Sequence, residues 1–245
     1  MKPFPESQQI LVCDGAMGTM LHAAGAALDR SLPELNLSDP GLVSTIHESY
    51  LSAGADIIQT NTFGANRLWL GDHGFPDQVE EINRAGVRIA RTAQDQCERE
   101  VLVAGSVSPA VTASQRRRIG SAERTEVLRE QIQALVAPVR GGTPPGTPRR
   151  PGVDLLILET FGYLDELVEA VCTIAGLTDV PVIAQATFAD DAYTLGGETP
   201  REVATVLSGL PVAMLGTNCT IGPQRMLTVA EDLVRYASVP VSAQP

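Results

Sequence analysis

Aromatic residues are scarce in this chain. Only 4% of its 245 residues are Phe, Trp or Tyr, so any core must be mainly aliphatic, and the 44% hydrophobic content can supply one. An excess of positive charge is also missing. A net charge of −11 argues against a nucleic-acid partner, because phosphate contacts need clustered Lys and Arg. It leaves small anionic ligands open, since backbone amides bind those locally. Cysteine is sparse too. Cys13, Cys97, Cys172 and Cys219 are too irregularly spaced for a disulfide framework in a chain of this size. Residues 1–9 are polar and lack the apolar core of a secretory leader, and no run reaches membrane-spanning length. Together these absences point to a reduced, cytoplasmic protein with neither membrane nor nucleic acid as partner. The length suits one large domain or two small ones.

What is present is a repeated theme of apolar run, polar loop and amphipathic helix. The runs are 10–13, 56–59, 101–104, 154–158, 180–184, 211–215 and 239–242. Near-continuous apolar runs of this length suit parallel strands covered on both faces. Helical patterns follow at 41–53, 78–94, 122–136, 164–175, 200–208 and 224–237. Asp39-Pro40 offers a cap with proline in the first turn, and Thr199-Pro200-Arg201-Glu202 has capping-box spacing. This alternation predicts an α/β fold. Seven strands in this order fit a (β/α)8 TIM barrel that is incomplete at the C-terminus, with seven of eight strands present. A doubly wound open sheet is the rival. The barrel is preferred because polar residues follow nearly every strand, and barrel enzymes gather their chemistry at those ends. One domain then spans 1–245, interrupted at 137–152 by a Gly/Pro-rich stretch that reads as a flexible surface insertion. Arg116-Arg117-Arg118 reads as a solvated basic turn.

The strand ends carry a constellation. Cys219 ends an apolar run beside Asn218, just before a Gly-Pro turn, where a thiol is better placed for chemistry than for packing. Asp14 and Glu159 follow two separate runs and could together hold an ammonium group. Gly15 and Gly18 flank the start of a short helix, which leaves backbone amides open to a carboxylate. Two acids beside an amide cradle suit an α-amino acid, and Cys219 lies where its side chain could reach. Thr60 and Asn61 either touch substrate or satisfy their own loop. His22, His47 and His73 form no metal spacing and read as surface or helix-packing residues. Cys172 reads as core and Cys13 as barrel floor. Cys97 suggests no role.

The motifs Asp14-Gly15-Ala16-Met17-Gly18-Thr19, Gln59-Thr60-Asn61-Thr62-Phe63-Gly64-Ala65-Asn66, Leu158-Glu159-Thr160-Phe161, Gly197-Glu198-Thr199-Pro200 and Gly216-Thr217-Asn218-Cys219-Thr220-Ile221-Gly222-Pro223 occur in the order and setting of one family. The chain resembles the homocysteine S-methyltransferases over almost its whole length. The resemblance implies zinc-dependent transfer of a methyl group to the thiol of homocysteine, giving methionine. It implies that Cys219 is the first of three cysteine ligands to a catalytic zinc. Asp14 and Glu159 match the acids that hold the homocysteine ammonium, and the amides of Met17 and Gly18 match the cradle for its carboxylate. Thr60, Asn61 and Asn218 join the substrate-binding set.

In that family the other two zinc ligands are adjacent cysteines in a Gly-Gly-Cys-Cys motif after the last strand, and the expectation places them beyond residue 245. Cys13, Cys97 and Cys172 do not match them. With Cys219 alone, this chain is expected to bind zinc poorly and to have little activity. The methyl donor stays open. Members of the family stand alone or precede folate, cobalamin or reductase modules. Two other readings remain: a catalytically inactive truncated barrel acting only within a larger or oligomeric assembly, and an unrelated barrel lyase using Glu159 as base.

Overall fold

The computed structural model describes residues 10–139 and 150–245. Six of the expected apolar runs form parallel strands: β1 (Ile57–Gln59), β2 (Leu102–Val107), β3 (Leu155–Phe161), β4 (Val182–Ala186), β5 (Met214–Asn218) and β6 (Val241–Gln244). They pair in the order β1-β2-β3-β4-β5-β6. Every strand lies beside its predecessor in the chain. A doubly wound sheet reverses its order at a switch point, so that rival is excluded. The result is an α/β fold whose parallel sheet curls into a half-barrel.

The first expected strand, residues 10–13, joins the sheet only in part. It makes one parallel bridge, Cys13 to Ile57. Val12 O accepts from the amides of Asp56 and Ile57, and Asp14 N donates to Ile57 O at 2.8 Å. The ladder stops there because the Val12 amide donates to the Asp56 carboxylate at 3.0 Å instead of to a neighbouring strand. The other expected strands are also displaced. Except for β1, which ends at Gln59 as expected, they run two to three residues further toward their C-terminal ends, into Ser106, Glu159, Gln185, Thr217, Asn218 and Gln244. Hydropathy falls before the ladder does, because the upper layer of the sheet is polar.

The helices are α1 (Met17–Ala23), α2 (Leu35–Ser38), α3 (Pro40–Ala53), α4 (Arg67–Gly71), α5 (Val79–Gln96), α6 (Ser121–Val136), α7 (Leu164–Ala175), α8 (Pro200–Leu207) and α9 (Pro223–Tyr236). The six long ones match the sequence pattern within two residues at either end. Their starts are capped as the sequence predicts. The Asp39 carboxylate accepts from Leu42 N at 3.2 Å, and Thr199 with Glu202 closes a capping box. The short α4 begins at Asn66, whose Oδ1 accepts from the amides of Leu68 and Trp69, each at 3.1 Å.

Alternate strand residues face opposite ways. One set, including Val103, Leu156, Leu158, Val182, Ala184 and Leu215, packs under the helices as the main core. The other forms a small inner layer of Ile57, Ala104, Leu155, Ile157 and Ile183, against which Leu11 and Cys13 rest. Burial on both faces explains why the runs read as continuous. Gly216 lets β5 and β6 come together, since a Cβ there would lie 2.2 Å from Ser242 Oγ and 2.3 Å from its carbonyl oxygen.

At the N-terminal end of the sheet, the fully buried Arg91 forks onto Asp154 at 2.6 and 2.9 Å and donates to Gly152 O at 2.9 Å. Residues 140–149 of the expected insertion lie outside the described residues. Its flanks are joined by an antiparallel bridge between Val139 and Arg150. Two residues differ from their reading. Cys172 is exposed, because α7 buries Leu167, Ala170, Val171 and Ile174 and residue 172 lies about 100° away from that stripe. Arg116 is no free solvated charge: it stacks on Tyr163, 4.3 Å from the ring centre, and reaches Glu166 at 2.7 Å.

Candidate active site

The polar residues gather at the C-terminal ends of the strands. Asp14 follows the Cys13 bridge and is buried. Its carboxylate accepts from the Gln59 amide at 2.8 Å and from Gln59 Nε2 at 3.3 Å. Burial pushes its pKa from 3.8 up to about 7. The Gln59 hydrogen bonds oppose that rise, and the charge of Glu159 adds to it. The two acids therefore feel one another, as a pair awaiting a cation would.

Glu159 sits in a bulge of β3, where the register with β4 shifts between Leu158 and Phe161. A bulge re-aims a side chain, here bringing the carboxylate to the sheet's upper edge. Ser106 Oγ donates to Glu159 Oε1 at 2.5 Å. Burial raises the Glu159 pKa, and the Ser106 bond partly opposes this.

Next to Asp14 stands the N-terminus of α1. Its cap residue, Ala16, offers no side-chain hydrogen bond, so the amides of Met17 and Gly18 have no side-chain cap. Tyr50 from α3 packs against Gly15, where a Cβ would lie 2.8 Å from the phenol oxygen. Its hydroxyl donates to Ala16 O at 3.1 Å. Burial, followed by the charge of Asp14, raises the Tyr50 pKa.

Cys219 follows β5 and is exposed. Its amide donates to Gln244 O at 3.0 Å. It is joined to Glu159 through their neighbours: the Thr160 amide donates to Asn218 Oδ1 at 2.8 Å, and Asn218 Nδ2 donates to Thr160 Oγ1 at 3.0 Å. Cys13 is a different kind of thiol. Burial first, then the charges of Asp14, Asp56 and Glu159, push its pKa to about 12, so it stays protonated and inert.

Thr60 and Asn61 lie beside this group with their side chains engaged in it. Thr60 Oγ1 accepts from the Ser106 amide at 3.2 Å and pairs with Thr62 Oγ1 at 2.7 Å. Asn61 Nδ2 donates to Leu32 O at 2.8 Å and to Asn36 Oδ1 at 3.1 Å. Thr60 thus braces the strand that carries Ser106, while Asn61 ties its loop to Leu32 and Asn36. Sequence reasoning missed Ser106, Tyr50, Gln59 and Thr160 as supports of the acids and the thiol. Ser106, Gln59 and Thr160 lay within strand-end motifs, which was a usable signal. Tyr50, in mid-helix, offered none.

A catalytic zinc takes three protein ligands and leaves one position open. Cys219 could be one of them. Among the described residues no group of three or more His, Cys, Asp or Glu could hold a metal ion, and the three histidines do not converge on Cys219. The described residues therefore do not fit a complete zinc site.

Comparison with known proteins identifies the family. The family model described as homocysteine S-methyltransferase matches residues 11–245. The methionine synthase of Mycobacterium tuberculosis (strain ATCC 25618 / H37Rv) is 34% identical over 254 aligned positions, and that of Mycobacterium leprae (strain TN) is 31% identical over the same span. Both alignments take in 98% of this chain, which spans 20% of the length of either enzyme. Among solved structures, the homocysteine methyltransferase MmuM from Escherichia coli in its metallated form superposes with a TM-score of 0.76 at 25% identity. The match covers 97% of this chain and 83% of that one. By its motifs, its fold and this match along nearly its whole length, the chain belongs to the homocysteine S-methyltransferase family.

Proposed function

We propose that this chain is the homocysteine-binding domain of a cytoplasmic methyltransferase that methylates the homocysteine thiol to give methionine. The observation that carries the reading is the pairing of buried Asp14 with half-buried Glu159 beside the uncapped start of α1, with Cys219 exposed at the end of β5. Two acids that resist ionisation together become stable as anions when an ammonium lies between them. The amides of Met17 and Gly18 then take the carboxylate. With the ammonium and carboxylate on its α-carbon held, the thiol at the far end of the side chain is free to reach toward Cys219. Positioning of this kind is a large part of catalysis for a transfer between two bound reactants.

The sheet is read as seven units of a (β/α)8 barrel, with residues 10–13 as the first. Zinc is the metal that family membership implies, with Cys219 as its ligand in this chain. The described residues supply no complete site for it. The methyl donor and any folate, cobalamin or reductase modules belong to this proposal only as the family's range of alternatives. A second reading, that the domain binds substrate but reacts only within a larger assembly, is favoured by the incomplete ligand set and by the chain's one-fifth share of the methionine synthases.

The test is a ligand-observed NMR titration of the chain with L-homocysteine, repeated on Glu159→Gln. The expected result is saturable binding that the substitution weakens at least about tenfold, the scale of one charge-assisted contact. Binding unchanged in the variant would remove the acid pair from the site and the proposal with it.

A further inference from the structure

Left-handed backbone is concentrated at the site. Thr160, Cys219 and Thr220 have φ of 63°, 55° and 63°, and among the described residues Ala192 is the one other non-glycine with positive φ. For a β-branched residue this is an outlying conformation. Glycine would adopt it freely, so the threonine side chain at 160 needs a reason of its own.

The hydrogen bonds give one. Asn218, 2% exposed, accepts from the Thr160 amide and donates to the Thr160 hydroxyl. A carboxamide can do both at once; a carboxylate lacks the donor and an alkyl group lacks both. The two strained turns are thereby fastened to each other. One is the β3 bulge that carries Glu159. The other is the β5 end that carries Cys219.

We propose that Thr160 is a positioning residue: clamped through its hydroxyl and amide by Asn218, it fixes the Glu159 carboxylate relative to the β5 end, so that a ligand's ammonium is held at a set place on the rim. This rests on the acid pair being the ammonium site. Without the hydroxyl, the bulge relaxes toward ordinary backbone and the carboxylate moves with it.

The experiment compares L-homocysteine with 4-mercaptobutyrate, the same molecule without its amino group, by NMR titration of the 245-residue chain. The ratio of the two affinities reports ammonium recognition and is insensitive to general loosening of the fold. Thr160→Val keeps the shape and loses the hydroxyl. Thr160→Gly loses the hydroxyl and relieves the strain, so it tests the idea even if the valine variant does not fold. Thr160→Ser restores the hydroxyl. The expected preference for homocysteine falls about tenfold in Thr160→Val and Thr160→Gly, the scale of one hydrogen bond serving a charged group, and stays within about twofold of the starting chain in Thr160→Ser. A folded Val or Gly variant that keeps the full preference overturns the clamp, and so does a serine variant that loses it. If the unmodified chain shows no preference, the ammonium site itself is wrong and the proposed function fails before the clamp is reached.

Discussion

Asp14→Asn should make this protein more stable, and increasingly so as pH rises. Burial holds the Asp14 carboxyl at a pKa of about 7 against its usual 3.8. The folded state therefore binds a proton that the unfolded state has already released. Stability must fall as pH climbs from about 4 through about 7, and level off above. At roughly 1.4 kcal/mol per pH unit, the full loss is about 4 kcal/mol, of which about 2.5 kcal/mol falls between pH 5 and pH 8. An amide at residue 14 carries no charge to desolvate. It can still accept from the Gln59 amide, which donates to Asp14 at 2.8 Å. Its new donor also has a partner at hand, because Gln59 Oε1 is buried without one and a flip of that amide would present it. Urea denaturation at pH 5, 6, 7 and 8 measures the effect, with the titrating groups that do not interact with Asp14 cancelling between the two proteins. The expected difference grows in favour of Asp14→Asn by about 2–3 kcal/mol across that range. A difference that stays flat, or a variant less stable at pH 8, would refute the account of Asp14 as a buried, reluctantly ionised acid. The same substitution should weaken homocysteine binding, since it removes half of the ammonium site.

Four further outcomes follow from other parts of the molecule. His47 is fully buried with neither ring nitrogen partnered, and burial lowers its pKa from 6.5 to about 4; the unfolded chain takes up the proton first, so stability falls by about 3 kcal/mol as pH drops from 6.5 to 4, and denaturation curves of His47→Leu should lack that acid limb. Arg91→Met leaves Asp154 and two backbone carbonyls without their donor and should cost about 2–4 kcal/mol in urea denaturation. Replacing residues 140–149 by Asn-Gly should leave the melting temperature within a few degrees, because Val139 and Arg150 already exchange both backbone hydrogen bonds, the arrangement a two-residue hairpin turn closes. Zinc measured after gel filtration of the chain should be well below one per molecule, since one thiol cannot replace three ligands; tight stoichiometric zinc would show that residues not recognised as ligands complete the site.

The α/β fold, the six long helices and the placement of Asp14, Glu159 and Cys219 at the C-terminal ends of apolar runs were legible because each depends on local pattern. An acid or a thiol that ends an apolar run stands out whatever the rest of the chain does. The supports were not legible, because each is defined by a partner far away in sequence. Ser106 matters through Glu159, and Thr160 through Asn218, 53 and 58 residues distant. Strand ends were placed too early for a related reason. Hydropathy marks the apolar layers, but the ladder continues through Glu159 and Asn218, where side chains face the site instead of a core. His47 shows the opposite limit. Helix packing was among its expected settings, yet nothing in the sequence says that it is sealed from every partner.

The two ends of the sheet are built to opposite rules. At the N-terminal end the polar groups are matched: Arg91 with Asp154, and Arg150 with Asp95 at 2.9 and 3.0 Å. At the C-terminal end lie a buried acid held near neutrality, a second acid pushed the same way, and three non-glycine residues in left-handed backbone. Each strained residue costs about 1–3 kcal/mol, and Asp14 adds about 4 kcal/mol at alkaline pH. Costs of this size, gathered among the described residues on one rim, are not packing accidents. A barrel enzyme keeps its chemistry on that rim, and the ammonium site proposed above would give these costs a purpose. Stabilising substitutions should therefore cluster at Asp14, Thr160 and Thr220 and be rare around Arg91. Those that relieve the acid or strain of Asp14 and Thr160 should be the ones that lose the ligand.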